Sequence, residues 1–260
     1  IVQYLNETIA KTNELGNQVE TLTNWFNNLD VQDEIDNKLD SMVESGELQE
    51  IISEYLNSTA VFGFDTVADM KEATNLIDGS FARTTGYHSK NDGGSAFYKI
   101  RAITNDDVID EMFILAMDDE SLVAELIIPG KILNAKQLGA YGDDTHDDLS
   151  VLQKMIDVSD NYTLVIPKGT YLISDNISIS SKDGINIHAE DSTIHYTGSD
   201  YAINVTKTQN SDFNLGVIDA PSGSCIKFES LQNGYWCQYI NLSFKVMKAL
   251  NNCIHAYCEL

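Results

Sequence analysis

Along the first 30 residues, apolar side chains recur on a heptad: Val2, Ile9, Val19 and Phe26 fall at position a, and Leu5, Thr12, Leu15, Leu22 and Leu29 at position d. The stripe is narrow, with Asn, Thr, Gln and Glu elsewhere, which marks the seam of a coiled coil rather than the broad apolar face of a helix lying on its own domain. Between Thr12 and Leu15 the regular d-to-d step is cut short, a stammer that overwinds a supercoil locally and coincides with Gly16. Branched residues at a with Leu at d favour two strands, although Phe26 and the polar Thr12 weaken that preference. The helical period continues through Ile35, Leu39, Met42 and Val43, pauses at Ser45-Gly46 and resumes through Leu48, Ile51, Ile52, Tyr55 and Leu56, which predicts two short helices with a glycine joint.

From residue 61 the pattern changes. FDTVADMKEA predicts a short helix capped by Asp65 or Thr66, and the segments SFARTTGY, AFYKIRAI, EMFILAM and LVAELII then alternate with period two around the turns KNDGG and DDES. Residues 60–132 are therefore expected to form a small α+β module. Asp118, Asp119 and Glu120 fall at a hairpin tip, where short acidic side chains satisfy turn backbone, and no chemistry is assigned to them.

The stretch LGAYGDDTHDDLSVLQKMID, residues 138–157, packs aspartates in front of a helical run of Leu149, Leu152, Met155 and Ile156. Thr145 and Asp148 have the T-x-x-D spacing of a capping box, which predicts a helix starting at Thr145 with acidic groups at its positive end. The competing reading is a glycosidase carboxylate pair among Asp143, Asp144, Asp147 and Asp148. Consecutive residues on a turn rarely hold two carboxyls across a sugar at the separations of roughly 5 to 9.5 Å that such chemistry needs. Beyond this helix come YTLVIPKGTYLIS and then the short alternating segments NISIS, INIHA, STIHYT, YAINV, FNLGVI, CIKFE, YINLSF and CIHAY, separated by Asp, Asn, Ser and Gly turns. Ile203, Ile226 and Ile254 align as successive repeats, with Cys225 and Cys253 at equivalent positions just before the last two. An antiparallel sandwich also yields many short strands and stands as the alternative.

Composition narrows the functions. With 260 residues and 43% hydrophobic content the chain can bury a sizeable core. A net charge of −24 opposes phosphate backbones and anionic lipid surfaces, so neither nucleic-acid binding nor membrane insertion is expected. No run approaches the roughly 18 apolar residues of a membrane span, and IVQYLNETIAKTNELG lacks the basic and apolar regions of a secretory signal. Cys225, Cys237, Cys253 and Cys258 show no CxxC spacing and are expected to be buried free thiols. The five histidines have no metal spacing; His188 and His195 are expected to face outward and His146 to belong to the cap. No cofactor or metal is expected, and whether an Asp-rich turn takes calcium is left open. Lacking an initial Met and ending at CEL within a continuing pattern, the chain is expected to be a piece of a longer protein.

Leu138, Gly139, Ala140, Gly142, Asp143, Thr145, Asp147, Asp148, Gln153, Ile156 and Asp157, followed by Pro167, Gly169, Thr170 and Tyr171, resemble the opening signature of pectate-lyase-like right-handed parallel β-helices, in which the helix caps the N-terminal end. The segments DVQDEIDNKLDSMVESGELQEII and FDTVADMKEATNLIDGSFARTTGYHSKNDGGSAFYKI are similar to the N-terminal region of tail spikes and tail appendages of bacteriophages that infect Gram-positive bacteria. Together the resemblances imply a mainly β protein in three parts: a coiled-coil helical stem (1–58) for trimerisation and particle attachment, an α+β module (60–132) and the capped start of a parallel β-helix (133–260). They also imply a homotrimer joined to other tail or neck proteins by its N-terminal region, located in the virion tail and binding host cell-wall or capsular polysaccharide. Similar proteins often cut that glycan, by hydrolysis or by β-elimination. Here Asp183, Glu190, Asp191, Asp212, Asp219 and Glu229 lie near predicted strands or turns without matching a catalytic motif, so catalytic residues stay unassigned. Tyr235, Trp236 and Tyr239 either stack on sugars or fill the coil interior, with filling favoured. A structural stalk carrying a distal receptor-binding domain is the alternative function; a secreted pectinase-like enzyme fits poorly with the coiled coil.

Overall fold

The computed structural model describes residues 2–27, 31–48, 61–160, 162–230 and 237–258. The chain divides into two compact units, residues 1–56 and 57–260.

In the first unit, helix α1 (Val2–Asn27) runs unbroken through Gly16, and α2 (Val31–Glu44) ends in a turn at Ser45-Gly46, with Gly46 at φ +80°. Val2, Leu5, Ile9, Leu15, Val19, Leu22 and Phe26 are between 52% and 74% exposed, so the heptad seam buries nothing within the chain. The Thr12 hydroxyl donates to the Thr8 carbonyl at 2.9 Å, which satisfies the polar d-position group along its own helix. Leu29 and the resumed helical pattern at Ile51, Ile52, Tyr55 and Leu56 lie outside the described residues.

The second unit opens with a five-stranded sheet in the order β1-β2-β3-β5-β4, built from β1 (Val61–Phe64), β2 (Phe81–Thr84), β3 (Phe97–Ala102), β4 (Ile114–Ala116) and β5 (Leu122–Ile127). β1 is parallel to β2 and was not evident in the sequence pattern; the remaining pairings are antiparallel. Helix α3 (Val67–Lys71) starts at Thr66, whose hydroxyl accepts from the Asp69 N–H at 3.1 Å while the Asp69 carboxylate accepts from the Thr66 N–H at 3.0 Å, a complete capping box. Met70, Tyr98, Ile100, Leu115 and Ala124 are fully buried between helix and sheet. Asp119 sits at the hairpin tip and accepts from the Ser121 N–H and hydroxyl, the turn role its position predicts.

From residue 132 onward the pairings are parallel. β6 (Ile132–Asn134), β8 (Thr163–Val165), β11 (Asn186–Tyr196), β13 (Gln209–Ala220) and β15 (Gln238–Ala249) stack in one sheet, joined by β7 (Asp143–Asp147) and β9 (Gly169–Ile173). β10 (Ile177–Ser180), β12 (Tyr201–Thr206), β14 (Ser224–Ser230) and β16 (Ile254–Cys258) stack in the other. The chain thus winds as a parallel β-solenoid, and the antiparallel sandwich is ruled out. Ile177, Ile203, Ile226 and Ile254 lie in register, which places the three isoleucines aligned in the sequence on adjacent rungs. A second inward column runs Leu133, Leu164, Ile187, Phe213 and Leu242, and a third Tyr171, Ile194, Ile218 and Met247. Each fully buried side chain of this kind stabilises the stack by about 1.5–3 kcal/mol. INIHA and STIHYT, which read as separate strands, form the single strand β11 with a bulge between Ala189 and Thr193.

Helix α4 (Leu149–Asp157) closes the lower end, burying Leu152, Met155 and Ile156. Its Gln153 amide donates to the Ser178 carbonyl at 3.0 Å and accepts from the Ser178 N–H at 2.8 Å. One side chain therefore takes the hydrogen bonds that a further strand would offer the edge of β10.

Candidate functional site

The predicted capping box at Thr145 is not formed. Pairing of Asp143 with Thr170 and of Asp147 with Leu172 draws residues 143–147 into β7, so the N-cap position moves from Thr145 to Asp148 and the helix begins at Leu149. The Thr145 hydroxyl turns back to the Asp143 carbonyl, and Asp148 points away from the helix to accept from the N–H groups of Tyr141 (2.6 Å) and Gly142 (2.9 Å). Burial raises the Asp148 pKa, against the lowering effect of those two N–H donors. Asp147 performs the local cap, accepting from the Leu149 N–H at 3.0 Å, and bonds the Ser174 hydroxyl with its other oxygen. Asp143 accepts from the His146 and Thr145 N–H groups and pairs with His146 Nδ1 at 2.8 Å, which holds its carboxyl well below the usual range. Asp144, at φ +65°, pairs with His195 Nδ1 at 2.6 Å. Each of the four carboxylates is thus committed to a partner that fixes the opening of the solenoid.

The two glycines of LGAYGD are explained by close approach. Gly139 (φ +98°) would bring a Cβ to 2.9 Å from the Tyr87 ring, and Gly142 (φ +60°) to 3.0 Å from the Tyr171 ring. Between them Tyr141 is stacked on both faces, by His88 (3.6 Å between centroids) and by His146 (3.8 Å), while His88 Nε2 bonds the Gly139 carbonyl at 2.7 Å. This His-Tyr-His stack ties the α+β module to the solenoid opening. No sequence signal marked it, because His88 lies in a loop remote from the aspartate cluster.

The outer face of the larger sheet gathers several of the candidate carboxylates. At the β11 bulge, Glu190 and Asp191 border a cleft lined also by Lys168, Thr193, Val217 and Lys245. Lys245 Nζ reaches Asp191 at 2.7 Å, and this contact lowers the Asp191 pKa; Glu190 is lowered by a backbone N–H and by His188, whose Nδ1 is 3.1 Å away. Along β13 and β15 on either side of the cleft, Asn241 donates to Asp212 at 2.6 Å and Ser243 to Asn214 at 2.7 Å, while Asp219 shares a register row with His195 and Lys248. Amide, hydroxyl, ammonium and carboxylate groups thus alternate over neighbouring rungs, a surface able to donate to and accept from a polyhydroxylated ligand. His188 and His195 face outward, as the alternation predicts.

Other candidates fall elsewhere. Asp183 is held by Gln209 and Asn210 at a turn, and Glu229 pairs with Lys227 on the smaller sheet. Tyr239 does not fill the interior: it is 77% exposed, because Ile240 and Leu242 take the inward positions and period two sends Tyr239 out. Tyr235 and Trp236 lie outside the described residues. Of the thiols, Cys225 is buried as expected, whereas Cys237 is half-buried and Cys253, in the bend just before β16, is exposed; the Cys258 side chain lies outside the described residues. Among the described residues no cluster of His, Cys, Asp or Glu has metal-binding geometry, and no helix is long and apolar enough to cross a membrane.

Residues 132–220 match the sequence profile of the rhamnogalacturonase A/epimerase, pectate lyase-like family. No curated protein matches the chain. Among solved structures, the chain is similar to a tailspike protein of an Acinetobacter baumannii bacteriophage, described as a capsular polysaccharide depolymerase, at 16% identity and a TM-score of 0.48, over 69% of this chain and 42% of that one. It is similar to the enzymatically active domain of tailspike protein 2 of bacteriophage CBA120 at 15% identity and a TM-score of 0.49, over 65% of this chain and 26% of that one. A Pantoea stewartii glycan biofilm modifying enzyme with a bacteriophage tailspike-like parallel β-helix fold matches at 10% identity and a TM-score of 0.43, over 75% of this chain and 39% of that one. The chain spans less than half the length of each. None comes from a phage of a Gram-positive bacterium, and the expected Gram-positive host finds no support among them. The segment from Ile132 to Ala220, which carries both the α4 plug and the β11 bulge, is where this chain is similar to the pectate-lyase-like family.

Proposed function

We propose that the chain is part of a bacteriophage tail spike or tail appendage that grips a host-surface polysaccharide along the outer face of its larger sheet. The observation that carries this reading is the cleft at the β11 bulge, where Lys168, Glu190, Asp191, Thr193, Val217 and Lys245 from four successive rungs converge on one solvent-facing surface. The pectate-lyase-like match over residues 132–220 covers these rungs except the last, which contributes Lys245. In this reading the solenoid is right-handed and the exposed heptad seam of α1 is covered by two further copies in a coiled-coil homotrimer. The N-terminal stem, residues 1–58, then joins the spike to other tail proteins, the α+β module (60–132) links stem to solenoid, and the protein works in the virion tail at the host surface. The acidic surface favours a carbohydrate over a nucleic acid as the extended polymer bound.

The test is to incubate the purified 260-residue protein with capsular and cell-wall polysaccharides from a panel of bacteria, and to measure retention and the appearance of reducing or unsaturated ends. Retention that Lys168→Ala and Lys245→Ala together weaken supports the reading. New chain ends would add depolymerisation to adhesion. Retention by no polymer in the panel would overturn the glycan role and leave a structural stalk.

A further inference from the structure

The thiols of Cys225 and Cys253 belong to none of the surfaces described above, yet they are placed one directly over the other. We propose that Cys225 and Cys253 are a redox pair, which a low-molecular-weight disulfide converts into a disulfide bond linking two adjacent rungs.

Register sets the geometry. Ile226 pairs with Ile254 across the parallel strands β14 and β16, and the Ile226 N–H donates to the Cys253 carbonyl at 3.1 Å, so the two cysteines occupy the preceding matched positions. Neighbouring strands lie about 4.7–4.9 Å apart, inside the roughly 4.4–6.8 Å between Cα atoms that a disulfide spans. The side chains converge as well. Cys225 Sγ is 3.4 Å from the Lys248 carbonyl and Cys253 Sγ is 3.6 Å from the Met247 carbonyl, consecutive groups of β15. Burial, together with the Cys253 thiol beside it, pushes the Cys225 thiol up to about 12. Cys237 is turned to the Val205 and Glu229 carbonyls instead, at 3.5 Å each.

Exposure sets the order of events. Cys253, the accessible member, attacks the small disulfide as its thiolate; the S–S bond of the reagent breaks, one small thiol leaves, and a mixed disulfide remains on Cys253. Cys225 then loses its proton and its sulfur attacks Cys253 Sγ, expelling the second small thiol, which takes up the proton. Two protein thiols are oxidised and one small disulfide is reduced to two thiols. Because the buried Cys225 deprotonates with difficulty, closure is the slow step and accelerates as pH rises. The bond would stay open in a reducing compartment and close outside it, fastening the rung of β16 to that of β14.

The folded 260-residue chain, incubated with glutathione disulfide, alkylated and digested, provides the test by thiol titration and mass spectrometry of the peptides. The expected result is loss of two of the four thiols and a single linked peptide pair joining Cys225 to Cys253. Cys225→Ser should stop at a glutathione adduct on Cys253, and Cys253→Ser, an exposed change checked for fold by circular dichroism, should lose no thiol. Persistence of all four thiols in the wild-type chain, an adduct on Cys253 that never closes, or linkage through another cysteine or between chains would each overturn the proposal.

Discussion

Among the glycines of the solenoid the closest approach to a neighbour is at Gly216, and replacing it by alanine is the sharpest test of how the rungs stack. Gly216 lies in β13 opposite the β11 bulge, and a Cβ there would stand 2.1 Å from the Ser192 carbonyl oxygen, 2.8 Å from that of Glu190 and 2.9 Å from that of Ala189. All three are backbone atoms, so no side chain can rotate away. A carbon and a carbonyl oxygen need more than 3 Å between them, so one rung must move by about an ångström against a neighbour that is itself paired on both edges. Overpacking of a well-packed site costs about 1–3 kcal/mol, and a backbone clash belongs at the top of that range. At ~3 kcal/mol the midpoint of thermal unfolding falls by roughly 6–12 °C for a unit of about 200 residues. Gly63→Ala is the matched control, because a Cβ there meets nothing within 4 Å. Thermal and urea unfolding of both variants beside the wild type decide the matter. A Gly216→Ala protein within about 1 kcal/mol of the control would show that the rungs are looser than described. The shift also displaces Glu190 and Asp191, so polysaccharide retention should weaken together with stability.

Two further outcomes follow from local contacts. Thr66→Ala removes half of the capping box on α3 and should lower stability by about 1 kcal/mol in urea unfolding, with Thr66→Ser retaining the wild-type midpoint; equal midpoints for all three would refute the role of the cap. The Arg101 guanidinium, with the Thr104 N–H, holds the Asp107 carboxyl well below the usual range. A carboxyl depressed in the folded state contributes stability that is present above its ordinary value of about 3.9 and is lost as pH falls toward the depressed one. The urea midpoint should therefore decline below about pH 4, less steeply in Asp107→Asn; an unchanged slope in that variant would assign the acid sensitivity elsewhere.

What the sequence made legible was periodic. Ile203, Ile226 and Ile254 repeat at intervals set by the rungs, and each was in register with the next as expected. Thr66 and Asp69, close along the chain, formed the box that local spacing implies. The same spacing misled at Thr145 and Asp148, where strand pairing with β9 outcompeted the helix for the backbone of residues 143–147. β1 was missed because VFGF is short and carries a glycine, and its parallel partner lies beyond an intervening helix. The cleft escaped because it assembles Lys168, Asp191 and Lys245 from separate rungs, and only the register, which no local pattern states, brings them together. The same holds for the stack of His88, Tyr141 and His146.

The amide of Gln153 finishing the edge of β10 has a consequence for how the molecule comes apart. In a stack whose layers touch only their immediate neighbours, loosening spreads from whichever extremity is least well sealed. The extremity beside β10 is closed by the apolar side of α4 and by that amide, so fraying is not expected to begin there. The N–H groups of β10 should then exchange with solvent as slowly as those of β12, the strand stacked on it.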